Sequence, residues 1–147
     1  MISWKTTCLI LKDNLTSEIM HLFGIGIDVV EVERVSSSID EFGEKFLNRI
    51  FTEQERKYCS AQKRPAIHYA ARFAAKEAVA KAFGTGIGKN LSWLDVEVVR
   101  QASGEPMIEL SGEGAVFAKE KNIADIKISL THAEHYAAAN AVVLVSE

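Results

Sequence analysis

Residues 22–30 alternate apolar side chains with residues that carry a short side chain or none. An alternation with a period of two predicts a β-strand. One face of this strand holds Phe23, Ile25, Ile27 and Val29. The other face is bare backbone at two glycines until the carboxylate of Asp28 appears, so the strand presents an isolated acid at its end.

Helical spacing follows the strand. Apolar residues recur every three or four positions in residues 31–50, where Gly43 is expected to break or join two short helices. The run Thr52-Glu-Gln-Glu55 is a capping box and predicts the start of another helix. Pro65 suits the first turn of a long alanine-rich helix, which Gly84 is expected to end.

The second half of the chain changes to strand character. Residues 94–100 alternate, Ser103-Gly104 predicts a turn, and residues 106–110 return as the hairpin partner. A short helix is expected over residues 112–121. Strand alternation over residues 126–131 then precedes a polar turn and a last apolar strand at 137–145. The sequence therefore predicts an α+β domain with a mostly antiparallel sheet packed against the long helix.

Charged residues interrupt the apolar side of the long helix. On a wheel of about 3.6 residues per turn with Ile67 at zero, Lys81 falls inside the apolar stripe and Glu77 at its edge. Arg72 and Lys76 are predicted to point away from the packed side. The stripe itself consists of Ala70, Ala71, Ala74, Ala75, Ala78 and Ala82. An acid and a base four residues apart either pair, which is worth only about 0.3–0.5 kcal/mol, or meet a buried group.

Composition narrows the class of protein. The 147 residues are 48% hydrophobic and 25% charged, which is typical of one globular domain. A net charge of −3 argues against nucleic-acid binding and against a polybasic membrane surface. No run approaches the roughly 18 apolar residues of a membrane span. Cys8 and Cys59 lack metal-ligand spacing, so we expect reduced thiols in a cytoplasmic protein.

Familiar phosphate and metal motifs do not match. Gly24-Ile-Gly26 begins like a dinucleotide fingerprint, but Val29 stands at its last glycine position. The segment 84–89 resembles a P-loop, but Phe83 stands where the first glycine is required. His132-Ala-Glu-His135 does not follow the zinc-protease spacing and is expected to form a surface turn.

Asp28 allows two interpretations, since an aspartate at that point is either a helix cap or a metal ligand. Glu77 and Lys81 likewise allow a plain helix pair. Taken together, two carboxylates, a lysine and the glycine-rich loop 84–88 supply what a magnesium–pyrophosphate site needs: hard oxygen ligands, a cation and backbone donors.

Three blocks of the sequence resemble the holo-[acyl-carrier-protein] synthases, the small single-domain type of 4′-phosphopantetheinyl transferase. The first block is Gly24-Ile-Gly-Ile-Asp28 with Arg34. The second runs from Arg72-Phe-Ala-Ala-Lys-Glu77 to Gly88, and the third is Ser129-Leu-Thr-His132 with Glu134 and Tyr136. The first and last blocks are weak individually, but their order and spacing are highly specific.

The resemblance implies transfer of the phosphopantetheine arm of coenzyme A to a serine of apo acyl carrier protein, releasing 3′,5′-ADP, for fatty acid biosynthesis. It implies Mg²⁺, replaceable by Mn²⁺, between Asp28, Glu77 and the coenzyme A pyrophosphate. Glu77 or a metal-held water would take the serine proton. Lys81 would stabilise the leaving diphosphate oxygen.

The same resemblance implies further contacts and an assembly. Coenzyme A would meet Lys63, Arg64, His132 and the backbone near Gly84. Arg34 and Lys45 would face the acidic carrier protein. The resemblance also implies a homotrimer with active sites between subunits.

Two rival classes remain at this point. One is a non-catalytic trimeric module that binds coenzyme A or a nucleotide, against which the joint presence of Asp28, Glu77 and Lys81 argues. A metal-dependent phosphoesterase is the weaker rival, since no dense cluster for two metals is visible. Residues 21–147 are expected to form the domain. Residues 1–20 have no counterpart in the family and are expected to be either a segment upstream of the true start at Met20 or one that packs on the trimer.

Overall fold

The structure is a computed structural model that describes residues 19–147. Five helices, five strands and one 3₁₀ turn follow one another along the chain. In order they are β1 (Met20–Glu31), α1 (Val32–Phe42), α2 (Glu44–Ile50), α3 (Glu53–Ser60), α4 (Pro65–Phe83), the 3₁₀ turn (Trp93–Asp95), β2 (Val96–Arg100), β3 (Pro106–Leu110), α5 (Gly112–Glu120), β4 (Ile123–His132) and β5 (Tyr136–Ser146).

Two antiparallel sheets accompany the helices. The larger sheet has the order β1-β5-β4, and β2 and β3 form a separate hairpin. The long helix α4 packs against β1 and β5 of the larger sheet. This arrangement confirms the predicted α+β class with a mostly antiparallel sheet on a long helix.

Sequence signals at the helix ends are confirmed. Gly43, at φ 54°, separates α1 from α2, and Gly84 ends α4 in the left-handed conformation at φ 73°. Thr52 and Glu55 form both hydrogen bonds of the capping box that starts α3. These positions could be read from the sequence because each depends on contacts within a few residues.

Two glycines bring β1 unusually close to α4. A Cβ on Gly24 would run into Ala82 O, and one on Gly26 would run into Ala78 O and lie 2.8 Å from Ala82 N. The glycine face of β1 therefore rests directly on the helix backbone. Asp28 is the next residue on that face, so the same approach carries its carboxylate to α4.

The apolar face of β1 points outward. Ile25, Ile27 and Val29 are 68%, 66% and 61% exposed. The alternation correctly predicted a strand, but it does not state which face packs inside. Here the bare face is buried, and from Ile25 onward the apolar face has no partner within the described chain. Phe23 is the exception, because the register with β5 shifts between Leu22 and Gly24 and its ring packs edge-on against Phe117.

The predicted N-terminal extension, residues 1–20, lies outside the described residues apart from Ile19 and Met20. Met20 is the first residue of β1. Within residues 19–147, no helix has the length and apolar character that crossing a membrane requires.

Candidate functional site

Two carboxylates from different elements meet at one cavity. Asp28 comes from β1 and Glu77 from α4, and both line a cavity of about 570 Å³. Glu33 and Arg34 of α1 line the same cavity, and Phe73 adds an apolar wall. We call this space the carboxylate cavity. It brings together the acids of the first and second sequence blocks.

Lys81 holds Asp28 in place. Its Nζ donates hydrogen bonds to Asp28 Oδ1 at 2.9 Å and to the carbonyl of Ile27 at 2.9 Å. The Asp28 side chain is 16% exposed and the Lys81 side chain 50%. The ammonium therefore reaches the rim of the site from the solvent side, and one of its three N–H donors is left over.

Glu77 is shifted toward its neutral form. Burial raises the pKa of its carboxyl above the ordinary value, the nearby charge of Asp28 raises it further, and Lys81 acts in the opposite direction. Burial and a like charge both disfavour the ionised form of an acid. The raised pKa makes Glu77 a better proton acceptor once it is ionised.

The predicted orientation of Arg72 and Lys76 is wrong. Arg72 is 6% exposed and Lys76 is fully buried. Thirteen of the 19 residues of α4 are buried, because α1, α3 and β2 cover the side of the helix that does not face the sheet. Lys81, which was expected inside the apolar stripe, is exposed instead. A helix surrounded on nearly all sides has no single packed face for the wheel to find.

A second cavity is rich in cations. It measures about 460 Å³, and we call it the cationic cavity. Its charged and aromatic lining residues are Tyr58, His68, Arg72, Arg100 and His132. Arg72 stacks over the Tyr58 ring at 4.0 Å, and the rings of His68 and His132 are 5.4 Å apart. Burial, then His132 and Arg72, lower the pKa of His68.

The sequence identified only His132 of this group. His68 and Arg72 are four residues apart on α4, so they share a face of the helix. That spacing was the available signal, but the wheel assigned Arg72 to solvent. Nε of Arg72 is buried and has no hydrogen-bond partner among residues 19–147.

The other predicted binding residues lie apart. Arg34 lines the carboxylate cavity, whereas Lys45 is exposed on α2 and lines neither cavity. Lys63 and Arg64 are exposed in the turn before α4, and Arg64 lines a third cavity of about 450 Å³. The structure therefore does not gather the predicted coenzyme A residues into one cavity of a single chain.

The backbone N–H groups of the glycine-rich loop form hydrogen bonds within the chain. The N–H groups of Gly84, Gly86 and Gly88 donate to Lys81 O, Ala80 O and Leu91 O respectively. These three amides are not available to a phosphate in this conformation. A Cβ on Gly84 would meet nothing within 4 Å, so the glycine is required there by its φ of 73° and not by crowding. Its contact with coenzyme A stays a prediction.

Sequence comparisons identify relatives over most of the chain. The profile of the 4′-phosphopantetheinyl transferase superfamily matches residues 24–141. The holo-[acyl-carrier-protein] synthase of Protochlamydia amoebophila is 48% identical over 120 residues, which cover 81% of this chain and 95% of that relative.

Solved structures of holo-[acyl-carrier-protein] synthases have a similar fold. The holo-[acyl-carrier-protein] synthase of Neisseria meningitidis superposes with a TM-score of 0.79 at 32% identity, covering 84% of this chain and 98% of the other. The holo-(acyl-carrier-protein) synthase of Bacillus anthracis, solved in complex with CoA (3′,5′-ADP), gives a TM-score of 0.72 at 37% identity, covering 87% and 100%. The fold is thus shared with these proteins.

Proposed function

We propose that the two cavities serve one reaction, on the premise that the chain belongs to the 4′-phosphopantetheinyl transferase superfamily. The chain is a holo-[acyl-carrier-protein] synthase: it transfers the 4′-phosphopantetheine arm of coenzyme A to a serine of apo acyl carrier protein and releases 3′,5′-ADP. A bond forms between the serine oxygen and the β-phosphorus of coenzyme A. The diphosphate bond to the departing nucleotide breaks.

The observation that carries the proposal is the meeting of Asp28 and Glu77 in the carboxylate cavity. We assign the serine proton to Glu77. Asp28 is engaged by Lys81, whereas Glu77 lines the cavity. An ionised carboxylate within hydrogen-bond reach of the serine hydroxyl can accept its proton.

The carboxylate pair fits a magnesium ion. Mg²⁺ in proteins is commonly held by one or two carboxylates together with substrate phosphates and waters. Residues 19–147 contain no cluster of three or more acidic, histidine or cysteine ligands, so a cage made wholly of protein groups is not offered there. Asp28 and Glu77 would hold the ion, with Mn²⁺ able to replace it. When bound, it would neutralise charge on the pyrophosphate.

Lys81 acts on the leaving group in this proposal. Two of its three N–H donors are used by Ile27 O and Asp28, and the third is free to meet an oxygen of the departing diphosphate. A cation fixed at the rim by two hydrogen bonds stabilises negative charge that develops during bond cleavage.

The cationic cavity is assigned to the phosphates of coenzyme A. Arg72 and Arg100 supply positive charge, and the rings of His68 and His132 supply N–H donors. Lys63 and Arg64 are proposed to contribute from the turn before α4. Arginine and histidine donors are suited to phosphate oxygens.

The two cavities share no lining residue, which supports a site completed by a second chain. We propose a homotrimer in which the carboxylate cavity of one subunit meets the cationic cavity of the next. The exposed apolar face of β1 supports such an assembly, since Ile25, Ile27 and Val29 need a partner.

The carrier protein is proposed to dock over α1 and α2. Arg34 stands at the carboxylate cavity and Lys45 is exposed nearby in sequence on α2, so both can meet an acidic partner. Fatty acid biosynthesis in the cytoplasm is the proposed setting. The buried free thiol of Cys59, whose pKa burial raises to about 12, suits a reducing compartment.

The activity is tested by incubating the protein with coenzyme A, Mg²⁺ and apo acyl carrier protein and weighing the carrier by mass spectrometry. A mass gain that chelator abolishes and that Mg²⁺ or Mn²⁺ restores is expected. A protein that binds coenzyme A without modifying any carrier would be the non-catalytic module instead.

Whether each active site is shared between two subunits is tested by mixing subunits of two variants. Glu77→Gln and His132→Ala each disable one cavity. If each active site uses both cavities from neighbouring chains, trimers mixed from the two inactive variants regain some intact sites. No recovery after confirmed exchange of subunits would place both halves in one chain.

A further inference from the structure

An ion pair lies in the interior of the protein where no substrate can reach it. Lys76 Nζ and Glu55 Oε2 are 2.7 Å apart, and both side chains have no exposed surface. Neither residue lines any of the three cavities described above. Its function must therefore be exerted through other residues.

Lys76 uses all of its donors on this pair and on two backbone carbonyls. Its Nζ donates to Ile50 O at 2.9 Å and to Trp93 O at 2.8 Å, in addition to its contact with Glu55. An ammonium has three donors, so none is left over. One side chain thereby ties α4 to the end of α2, to α3 and to the 3₁₀ turn.

Glu55 extends the network to the hairpin. Its Oε1 accepts from Val98 N in β2 at 2.9 Å, and its Oε2 accepts from Thr52 N at 2.9 Å. The same carboxylate thus completes the capping box of α3 and holds Lys76. The network links α4 to every element that covers the side of the helix opposite the sheet, apart from α1.

The stability of the fold does not by itself explain why the charges of Lys76 and Glu55 are buried. Desolvation of two ions commonly cancels their attraction, and an apolar pair of similar volume is often as stable. What an ion pair with directed hydrogen bonds adds is orientation, because carbonyl oxygens accept from a restricted range of directions. Apolar contacts would allow α4 to rotate more freely about its axis.

The rotation of α4 matters because Glu77 follows Lys76 directly. Successive residues of a helix are about 100° apart, and side-chain ends lie about 5–6 Å from the axis. A rotation of about 10° therefore displaces the end of a side chain by about 1 Å. A displacement of that size at reacting groups costs about 100-fold in rate.

We propose that Lys76 and Glu55 are positioning residues, which fix the rotation of α4 and so hold the Glu77 carboxylate against Asp28. The inference rests on the proposed function of Asp28 and Glu77 as the metal-holding pair. On one side of α4 the glycines of β1 set its distance from Asp28. On the other side Lys76 sets the direction in which Glu77 points.

The test removes both charges together, so that no buried ion is left unpaired. In Lys76→Met with Glu55→Gln, side-chain volume is nearly kept and Gln can still accept from a backbone N–H. The matched control is Arg56→Met with Glu44→Gln, which removes a partly exposed pair between α3 and α2 at the residue next to Glu55. Melting temperature and sedimentation report folding and assembly for each.

Two readouts separate positioning from stability. The first is the split between kcat and the KM for coenzyme A. The second is the Mn²⁺ affinity, measured by electron paramagnetic resonance with coenzyme A present. We expect the Lys76→Met, Glu55→Gln protein to fold, to lose about 100-fold in kcat and about tenfold in Mn²⁺ affinity, and to keep its KM. The control should match the parent in all of these.

A folded double variant with parental kcat and parental Mn²⁺ affinity overturns the inference. If that variant does not fold, Glu55→Gln alone decides. Burial lowers the pKa of Lys76, so without Glu55 it can lose its proton, and the neutral amine still donates to both carbonyls. A kcat reduced about tenfold at unchanged KM supports positioning. Lowered stability with unchanged kcat shows that the pair serves stability only. Glu77→Gln is assayed in parallel: if it is fully active, the proposed function itself has failed, whatever the double variant does.

Discussion

Gly26→Ala should separate the two halves of the carboxylate cavity. The new Cβ would lie 2.8 Å from Ala82 N and would overlap Ala78 O, whereas an ordinary contact begins at 3.4 Å. Reaching that distance from Ala82 N requires β1 to retreat from α4 by about 0.6 Å, and the overlap with Ala78 O requires more. Both obstacles are backbone atoms, which cannot swing away as a side chain could.

The expected loss of stability follows from this displacement. Overpacking of a well-filled interior typically lowers the free energy of unfolding by about 1–3 kcal/mol. For a chain of this length that corresponds to a melting temperature lowered by about 3–10 °C. Asp28 lies two residues along the same face and moves with the strand, away from Glu77. A shift approaching 1 Å between reacting groups should lower kcat by about 10- to 100-fold.

The assay measures thermal unfolding, sedimentation and the rate of mass gain of the carrier protein. Gly88→Ala is the matched control for stability, since a Cβ there meets nothing within 4 Å and the glycine has no positive φ. The control should keep the parental melting temperature. If Gly26→Ala also keeps parental kcat and melting temperature, then the contact of β1 with α4 does not set the separation of Asp28 and Glu77.

Three further predictions concern single changes. Glu77→Gln should cut turnover by orders of magnitude yet unfold at higher urea than the parent at pH 8. Burial and the charge of Asp28 raise the pKa of Glu77 in the folded protein above its value in the unfolded chain. Ionisation of Glu77 therefore destabilises the fold once the pH exceeds the pKa of the unfolded chain. The stability gained by Glu77→Gln should accordingly vanish below about pH 4. Lys81→Ala should lose less turnover than Glu77→Gln in the same assay, because Asp28 and Glu77 both remain, and an equal loss would show that Asp28 cannot act without its contact to Lys81. A chain starting at Met20 should fold, assemble and transfer the arm as the parent does, which sedimentation and carrier mass would check.

Local signals in the sequence were sufficient for most elements. The capping box at Thr52, the break at Gly43 and the end of α4 at Gly84 depend on hydrogen bonds or backbone angles within a few residues. The strands followed from alternation and turn residues. These features do not depend on what packs against them.

Errors arose where the outcome depends on distant partners. Lys76 was predicted to point away from the packed side and is buried, because Glu55, Ile50 and Trp93 provide acceptors that no pattern within α4 records. The cationic cavity was missed apart from His132, since its other charged members come from α4 and β2. A helical wheel describes one element, whereas the environment of a side chain is set by several.

The outward face of β1 affects how the protein is inactivated rather than how it catalyses its reaction. β1 is a long edge strand with Ile25, Ile27 and Val29 uncovered, and unpaired edges of this kind template association with other chains. If the protein assembles as proposed, a subunit that leaves the trimer exposes this strand to every other free subunit, so aggregation competes with reassembly. Heat inactivation should then be irreversible and should depend on scan rate and protein concentration, so that a half-life describes durability better than an equilibrium constant does.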